Sequence, residues 1–569
     1  MTGGDIEDTC IVSSTQYTDI KECMTRHDVL NWQKFALAFQ REHKYVISKN
    51  MLRYVYMKET NQKAPRELIK KACRSQYGIL NVCVFTSAYP EYHDSDGVKH
   101  QQKFSCKHNC YYCPSEPGQP RSYLMKEPGV ARANACGFDC IRQFHTRLDQ
   151  YKGMGHPLDK IEFEVSGGTW SEYPREYQNE FIRDGYYAAN TYGIPERKKL
   201  TLEEEILINE TSPIHIIGLT IETRPDTINL EELALFRKYN VTRVQMGVQH
   251  TNNTILKKIN RGHTIECSMD AIRLLLNNGF KVDVHIMPML PGSTPDGDMA
   301  MFDTMLSDSR LQVDQWKVYP TSVVPWSVLE SWYKSGKYKP YSNDELYKVL
   351  YYMKTQVHRR IRLIRIVRDI NDEYIMGGCS VSHMRQLLQR ELKDICKCIR
   401  CRSVKDDTVD PKFKLKIDTF VASGGCEYFI SYVSHDEQVL YGFCRLRLPC
   451  KRSKYEQLPE IKGAALIREL HVYSTMTPVG ERATSNVQHR GFGKSLLDIA
   501  ERIAVLNRYD TFAVISGVGV RNYYRKRGYS LGDTYMVKKM CLGSYLCCYV
   551  TSFVYYMVYY MTNIISKKN

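Results

Sequence analysis

The sequence predicts an α/β protein: a partial parallel (β/α) barrel, a second smaller α/β domain, and a C-terminal membrane-spanning helix. Three observations carry this. Short β-branched runs alternate with amphipathic helical stretches from about 78 to 325, which implies βαβ units. A second strand–helix pattern occupies about 414 to 540. The last 29 residues then include Cys541 to Ile565, a run without a charged side chain.

At 569 residues the chain is too long for a single core. With 43% hydrophobic residues and only 21 prolines it reads as globular. Lysine and arginine exceed aspartate and glutamate by 79 to 63, a formal charge of +16, which suits a polyanionic partner because each neutralised phosphate releases counterions. The N-terminus has neither a basic n-region nor an apolar run, so no secretory signal is expected. The 20 cysteines then read as metal ligands or catalytic groups rather than staples.

The elements divide into five regions: 1–77, a polar and basic region; 78–370, the barrel; 371–412, a cysteine-bearing linker; 413–540, the second domain; 541–569, the tail. In the first, Lys70, Lys71 and Arg74 form a cationic run suited to RNA phosphates. In the barrel, the strands IEFEVSGGT, IHIIGLTIET, VTRVQMGVQ and FKVDVHIMPML end in glycine, proline or polar residues, where parallel barrels build their active face.

Cys106, Cys110 and Cys113 stand in Cys-x3-Cys-x2-Cys, opening this domain. Three thiolates in so short a loop each hold one iron of a [4Fe–4S] cluster and leave the fourth open to a small chelator. This spacing ahead of a parallel α/β domain is the radical S-adenosylmethionine (SAM) signature. Gly167, Gly168 and Thr169 after one strand, and Glu222 and Gln249 at the ends of two others, are candidate SAM contacts.

In the second domain, Gln488-His489-Arg490-Gly491-Phe492-Gly493-Lys494 enters a helix, so backbone N–H groups at its start suit a pyrophosphate. The preceding strand carries Glu469, Leu470, His471 and Val472, and the order of elements resembles the GCN5-related acetyltransferases. Acetyl-CoA is the expected ligand. Tyr523 and Tyr524 follow; each packs its helix or donates to a departing thiolate as a general acid.

Both clusters together resemble the Elongator catalytic subunit family, the radical-SAM tRNA acetyltransferases. The resemblance runs from about 64 to 540 and is dense in ARANACGFD, SGGT, GLTIETRPD, NRGHT, MPMLPG, WKVYPT, RELHVYST, QHRGFG and ISGVGVRNYYRKRGY. It implies that a deoxyadenosyl radical takes hydrogen from the acetyl methyl group. The carbon radical then attacks position 5 of a wobble uridine, leading to 5-carboxymethyluridine. It also implies that Lys317, a catalytic candidate, Tyr319 and the Glu222–Asp226 loop line the SAM pocket, that Lys70, Lys71 and Arg74 hold tRNA, and that other Elongator subunits are partners; DNA is not an expected one. Cys396, Cys398 and Cys401 resemble the family's zinc motif, with His383 or Cys379 as alternative fourth ligands. Gln245 and His250 stand where the family has a glutamate and a serine. The alternative reading is a protein lysine acetyltransferase with a structural iron–sulfur domain.

At about 1.5 Å per residue, Cys541 to Ile565 is long enough for a bilayer core of about 30 Å. It reads as a tail anchor holding both domains at the cytoplasmic face of the mitochondrial outer membrane, with the endoplasmic reticulum second. Without it the protein reads as cytoplasmic.

Overall fold

The computed structural model describes residues 12–540 apart from 63, 72, 73, 76, 104, 105, 382, 406–408 and 474–490. Three helices come first: α1 (Ser14–Arg26), α2 (Trp32–His43) and α3 (Lys49–Thr60). Each starts at a side-chain oxygen that satisfies an otherwise orphaned N–H: Ser13, Asn31 and Ser48. Their apolar faces meet in a core of their own around Ile20, Phe35, Phe39, Leu52 and Val55.

Ten strands follow among the described residues before the linker, and an eleventh lies within it: β1 (Leu80–Phe85), β2 (Glu91–His93), β3 (Lys99–Gln101), β4 (Lys160–Ser166), β5 (His215–Thr223), β6 (Arg243–Gln249), β7 (Lys281–Ile286), β8 (Gln315–Val318), β9 (Ser322–Val323), β10 (Arg362–Arg365) and β11 (Gly377–Gly378). Seven of them form one sheet in the order β1-β4-β5-β6-β7-β8-β10, every neighbour parallel. This is a half-barrel, and the period of two explains why it stays open. On β6, Val244, Met246 and Val248 enter the core beneath the helices, whereas Arg243, Gln245, Gly247 and Gln249 face a cavity. The same alternation puts Glu162 and Glu164 of β4, Asp283 and His285 of β7, and Lys317 of β8 on that inner face. So much charge cannot close on an apolar core.

The second sheet is formed by β12 (Lys414–Ala422), β13 (Gly425–Val433), β14 (Leu440–Leu448), β15 (Ala465–Val472), β16 (Thr511–Val514), β17 (Ser530–Leu531) and β18 (Met536–Lys539). Its order is β12-β13-β14-β15-β16-β18-β17, antiparallel except for the parallel pair β15/β16. The hairpin from β12 to β13 turns through Ser423 and Gly424, both at positive φ, which matches the strand twist. Between β15 and β16 the helix Phe492–Leu506 buries Leu496, Leu497, Ala500 and Ala504 against the sheet.

Buried ion pairs join the two sheets. Arg468 of β15 donates two hydrogen bonds of 2.8 Å to Asp314 beside β8, and reaches Glu427 of β13 at 2.9 Å. Arg445 of β14 approaches Asp314 to 3.3 Å. Elsewhere on the seam, Arg521 and Arg525 grip Glu210 at 2.9 and 2.6 Å, and Gly517 lies so close to Ile217 that a Cβ would sit 2.1 Å from its carbonyl oxygen. Burial by itself would raise the Asp314 carboxyl, but Arg468 and Arg445 hold it well below the usual carboxylate range. Asp314→Asn leaves two buried guanidiniums short of a counter-charge and is expected to cost about 3–5 kcal/mol, read as a fall in thermal unfolding temperature. Because the folded-state pKa is depressed, the Asp314 contribution is complete above the unfolded value of about 3.9 and is lost only as pH falls through the folded one. The destabilisation by Asp314→Asn is therefore expected to be the same at about pH 8 and pH 5.

The expectation of a C-terminal membrane-spanning helix is corrected. No helix among the described residues is long and apolar enough to cross a membrane. The tail on which the expectation rested, 541–569, lies outside the described residues. The physical error is that uncharged is not the same as apolar: Tyr545, Tyr549, Tyr555, Tyr556, Tyr559 and Tyr560 bring hydroxyls that suit an interface rather than a bilayer centre.

Candidate active site

The inner face of the half-barrel and the edge of the second sheet enclose one cavity of about 1480 Å³. That exceeds the usual space for one small ligand, about 300–1,000 Å³. Cys106, Cys110 and Cys113 line one side of it, and Glu469, His471, Gly493 and Tyr523 line the other.

The cysteine loop is set by charge. Two buried arginines, Arg224 after β5 and Arg261 after β6, point at the Cys110 sulfur from 3.6 and 3.5 Å. Each is held by its other nitrogens: Arg224 by Asp226 at 2.8 Å, Arg261 by the Gly247 carbonyl at 2.6 Å. Burial pushes the Cys110 thiol up, but Arg261 and then Arg224 pull it below the ordinary thiol value. Cys113 is pushed up by burial and by Cys110 beside it. The Cys106 sulfur lies 3.5 Å from the Thr169 hydroxyl.

Gly168, Thr169, Glu222 and Gln249, expected at a SAM pocket, all line the cavity. Gly167 does not: a Cβ there would lie 1.9 Å from the Thr86 hydroxyl, so it allows β4 to close on β1. Burial raises the Glu222 carboxyl against the pull of Lys317, and it accepts a 2.7 Å hydrogen bond from Tyr123. Gln249 has φ 72° and a side-chain oxygen without a partner. Lys317 is engaged: it donates to Gln245 at 2.5 Å and to Glu164 at 3.1 Å. Burial opposes that charge pair, yet Lys317 still draws the Glu164 carboxyl down to about 2 and is itself held charged. Tyr319 packs edge-on against His285, whose Nε2 has no partner.

On the other side, Glu469, Leu470, His471 and Val472 reach the cavity from the end of β15. Glu469 is tied to Arg445 at 2.9 Å, and the His471 ring nitrogen meets the Tyr77 carbonyl at 3.2 Å. Gly491 has φ 78° at the start of the helix, which no side chain caps, so N–H groups there stay available. Gly493 and Lys494 line the cavity, whereas Phe492 turns away and stacks on Tyr432 at 4.6 Å. Gln488, His489 and Arg490 lie outside the described residues. Both tyrosines line the cavity, and Tyr524 also packs in the sheet's core beside Tyr529. The Tyr523 hydroxyl is buried without a partner and stands 3.0 Å from where a Gly493 Cβ would be.

Lys70 and Lys71 are exposed and apart from the cavity, while Arg74 lies at its edge, 5.9 Å over the Tyr151 ring. Arg132, Arg147, Arg365, Arg385 and Arg400 join it there. The sulfurs of Cys396, Cys398 and Cys401 lie within 4.8 Å of one another, a set that includes neither His383 nor Cys379.

Sequence reasoning assigned no role to Tyr123, Glu164 or Arg261, and placed Arg224 only in a loop lining the SAM pocket. Arg224 and Arg261 sit inside the motifs GLTIETRPD and NRGHT, but nothing in those strings says that both reach one sulfur 114 and 151 residues away.

Family comparisons agree with this geometry. Residues 181–304 match the radical SAM superfamily, and 313–394 match its C-terminal domain. A tRNA uridine(34) acetyltransferase from Dehalococcoides mccartyi is 37% identical over 483 residues, covering 83% of this chain and all of the relative. Human Elongator complex protein 3 is 35% identical, covering 76% of this chain and 80% of the relative. The solved structure of archaeal Methanocaldococcus infernus Elp3 superposes with a TM-score of 0.68 at 33% identity, covering 81% and 99%. The chain belongs to the family of the tRNA uridine(34) acetyltransferases and Elongator complex protein 3. Radical SAM membership implies a [4Fe–4S] cluster and SAM. The donor set fits: three thiols face one cavity, and two guanidiniums favour the thiolate of Cys110.

Proposed function

We propose that this chain modifies the wobble uridine of tRNA, using radical-SAM chemistry to join the acetyl group of acetyl-CoA to the base as a 5-carboxymethyl substituent. It is a radical-SAM acyltransferase. The observation that carries the reading is that the cysteine loop and the Gly493–Tyr523 corner open into one cavity. A protein lysine acetyltransferase would have no use for that shared space. When bound, the cluster and SAM supply a 5′-deoxyadenosyl radical. Cys106, Cys110 and Cys113 hold the cluster; Thr169, Glu222 and Gln249 meet SAM; and the N–H groups after Gly491 take the pyrophosphate of acetyl-CoA. The chemistry is one of orientation, since donor, radical source and base must meet within one enclosure. The base is turned out of its stack to enter.

Four regions share the work: 1–77 with tRNA, 78–370 with SAM, 371–412 as a zinc-holding linker, 413–540 with acetyl-CoA. Three sulfurs within 4.8 Å suit a single ion, for a tetrahedral zinc with Zn–S of about 2.3 Å sets them about 3.8 Å apart. The work is placed in the cytoplasm, and partner subunits follow from the human relative's name as part of a complex.

Mass spectrometry of tRNA nucleosides after anaerobic incubation with acetyl-CoA, SAM and a reductant tests the function; no modified uridine, with acetylated protein lysine instead, overturns it. RNA binding has its own test. Reversing charge at Lys70, Lys71 and Arg74 weakens tRNA binding and reduces the log–log salt slope by about 0.7–0.9 for each phosphate no longer neutralised. An unchanged slope means that RNA lies elsewhere.

A further inference from the structure

The N-terminal helices hold a group of side chains that the reaction does not use. Cys23 lies in the last turn of α1 and His27 is its C-cap, in extended conformation, with its N–H on the Cys23 carbonyl at 3.0 Å, which keeps the two residues together. The last turn of α2 brings Glu42 and His43 against them. The ligand atoms of Cys23, His27 and Glu42 all lie within 4.8 Å of one another. His27 Nε2 meets Glu42 Oε1 at 2.5 Å, while the other carboxylate oxygen, Oε2, is bound by Arg26 at 2.8 Å. His43 Nε2 is buried, has no hydrogen-bond partner, and stands 3.9 Å from Glu42 Oε2. Its Nδ1 is 3.5 Å from Asp19.

We propose that Cys23, His27 and Glu42 form a second divalent-metal site, of zinc type, that pins α1 to α2. The chemistry of the set is one argument. A thiolate, an imidazole and a carboxylate are the three ligand types that zinc accepts, at about 2.0–2.3 Å, and the set is too soft for magnesium or calcium. Zinc takes the place of the proton between His27 Nε2 and Glu42 Oε1, and Cys23 releases its thiol proton to solvent. Arg26 stays on Oε2. His43 Nε2 supplies the fourth ligand after a change of rotamer, or water does from the open side, where His27 and Glu42 are each about a third exposed.

Need is the other argument. The eight buried apolar residues of this helical core are its own, separate from the core beneath the half-barrel. Units this small commonly require a metal or a covalent staple. The bland alternative is an ion pair of His27, Arg26 and Glu42 over a cysteine that merely packs the core. It accounts for Glu42 but gives His43 Nε2 only a 3.9 Å ion-pair contact and no hydrogen bond.

The test uses the full chain with its cluster intact, dialysed against buffers of defined free Zn²⁺. Zinc and iron per chain are counted by elemental mass spectrometry in the wild type, Cys23→Ser and His27→Gln. The expected result is about one zinc ion per chain fewer in both variants, with iron and the zinc of Cys396–Cys401 unchanged. His27→Gln alters a partly exposed ring, so its far-UV helix signal should remain; zinc lost with that signal intact is loss of a ligand and not of the fold. Zinc affinity at this site should fall about a hundredfold or more. Equal zinc in wild type and His27→Gln at every free-zinc level overturns the proposal and leaves an ion pair. The count is independent of tRNA modification, so it stands or fails separately from the proposed function.

Discussion

Replacing Cys110 with serine is expected to abolish the brown colour, the reduced-cluster EPR signal and SAM cleavage together. Of the three cysteines it is the one that Arg224 and Arg261 address, and its hydroxyl replacement can neither ligate iron as a thiolate nor use those charges. Acetyl-CoA binding should survive, because the Gly491–Lys494 helix start belongs to the other sheet. Normal SAM cleavage by Cys110→Ser would remove the cluster from this loop. A finer version separates ligand from environment. Arg261→Leu keeps all three thiols but removes the largest charge holding Cys110 down. The expected outcome is a cluster that assembles, is more easily lost, and has a shifted reduction potential. An unchanged potential would mean that Arg261 only supports the Gly247 turn.

Tyr523→Phe is expected to lower thioester opening by about 10²–10⁴-fold at constant acetyl-CoA affinity, the range typical of a lost general acid. Its hydroxyl is buried without a partner at the wall of the cavity, and burial raises its pKa against the pull of Arg527, so it keeps its proton at neutral pH. Tyr524→Phe should cost less, since that ring, although it also borders the cavity, is packed in the core beside Tyr529. Single-turnover release of CoA thiol measures both. Equal losses in the two variants, or a loss only in Tyr524→Phe, would reverse the assignment.

Much of this molecule is legible in its sequence because the relevant signals are local. A parallel sheet announces itself through strand–helix alternation, and β4 to β7 fall where VSGGT, LTIET, VQMGVQ and VHIMPML end them. The Cys-x3-Cys-x2-Cys spacing is likewise local: three thiols in one loop need no distant partner to be noticed. The glycines at 491 and 493 announce a helix start for the same reason. The tail misled because the length of its uncharged run was weighted above its tyrosines, whose hydroxyls suit an interface better than a bilayer centre.

What the sequence by itself determined is therefore the order of elements, the two cysteine clusters and the family. Only the tertiary structure decided which atoms act on one another. Sequence treated Lys317 as a free catalytic candidate; β8 lies two strands from β6 and carries its ammonium to Gln245 and Glu164. Sequence could not rank Tyr523 against Tyr524; both border the cavity, but the Tyr523 hydroxyl stands at Gly493 while the Tyr524 ring is anchored in the core. Arg224 and Arg261 acquire their role by converging on Cys110, and Asp314 by meeting Arg468 of the other sheet. The physical reason is common to all of them. Periodicity and spacing record how a segment must lie relative to its neighbours in the chain. The strength and sign of a buried charge depend on groups more than a hundred residues away, and only packing in three dimensions fixes those distances.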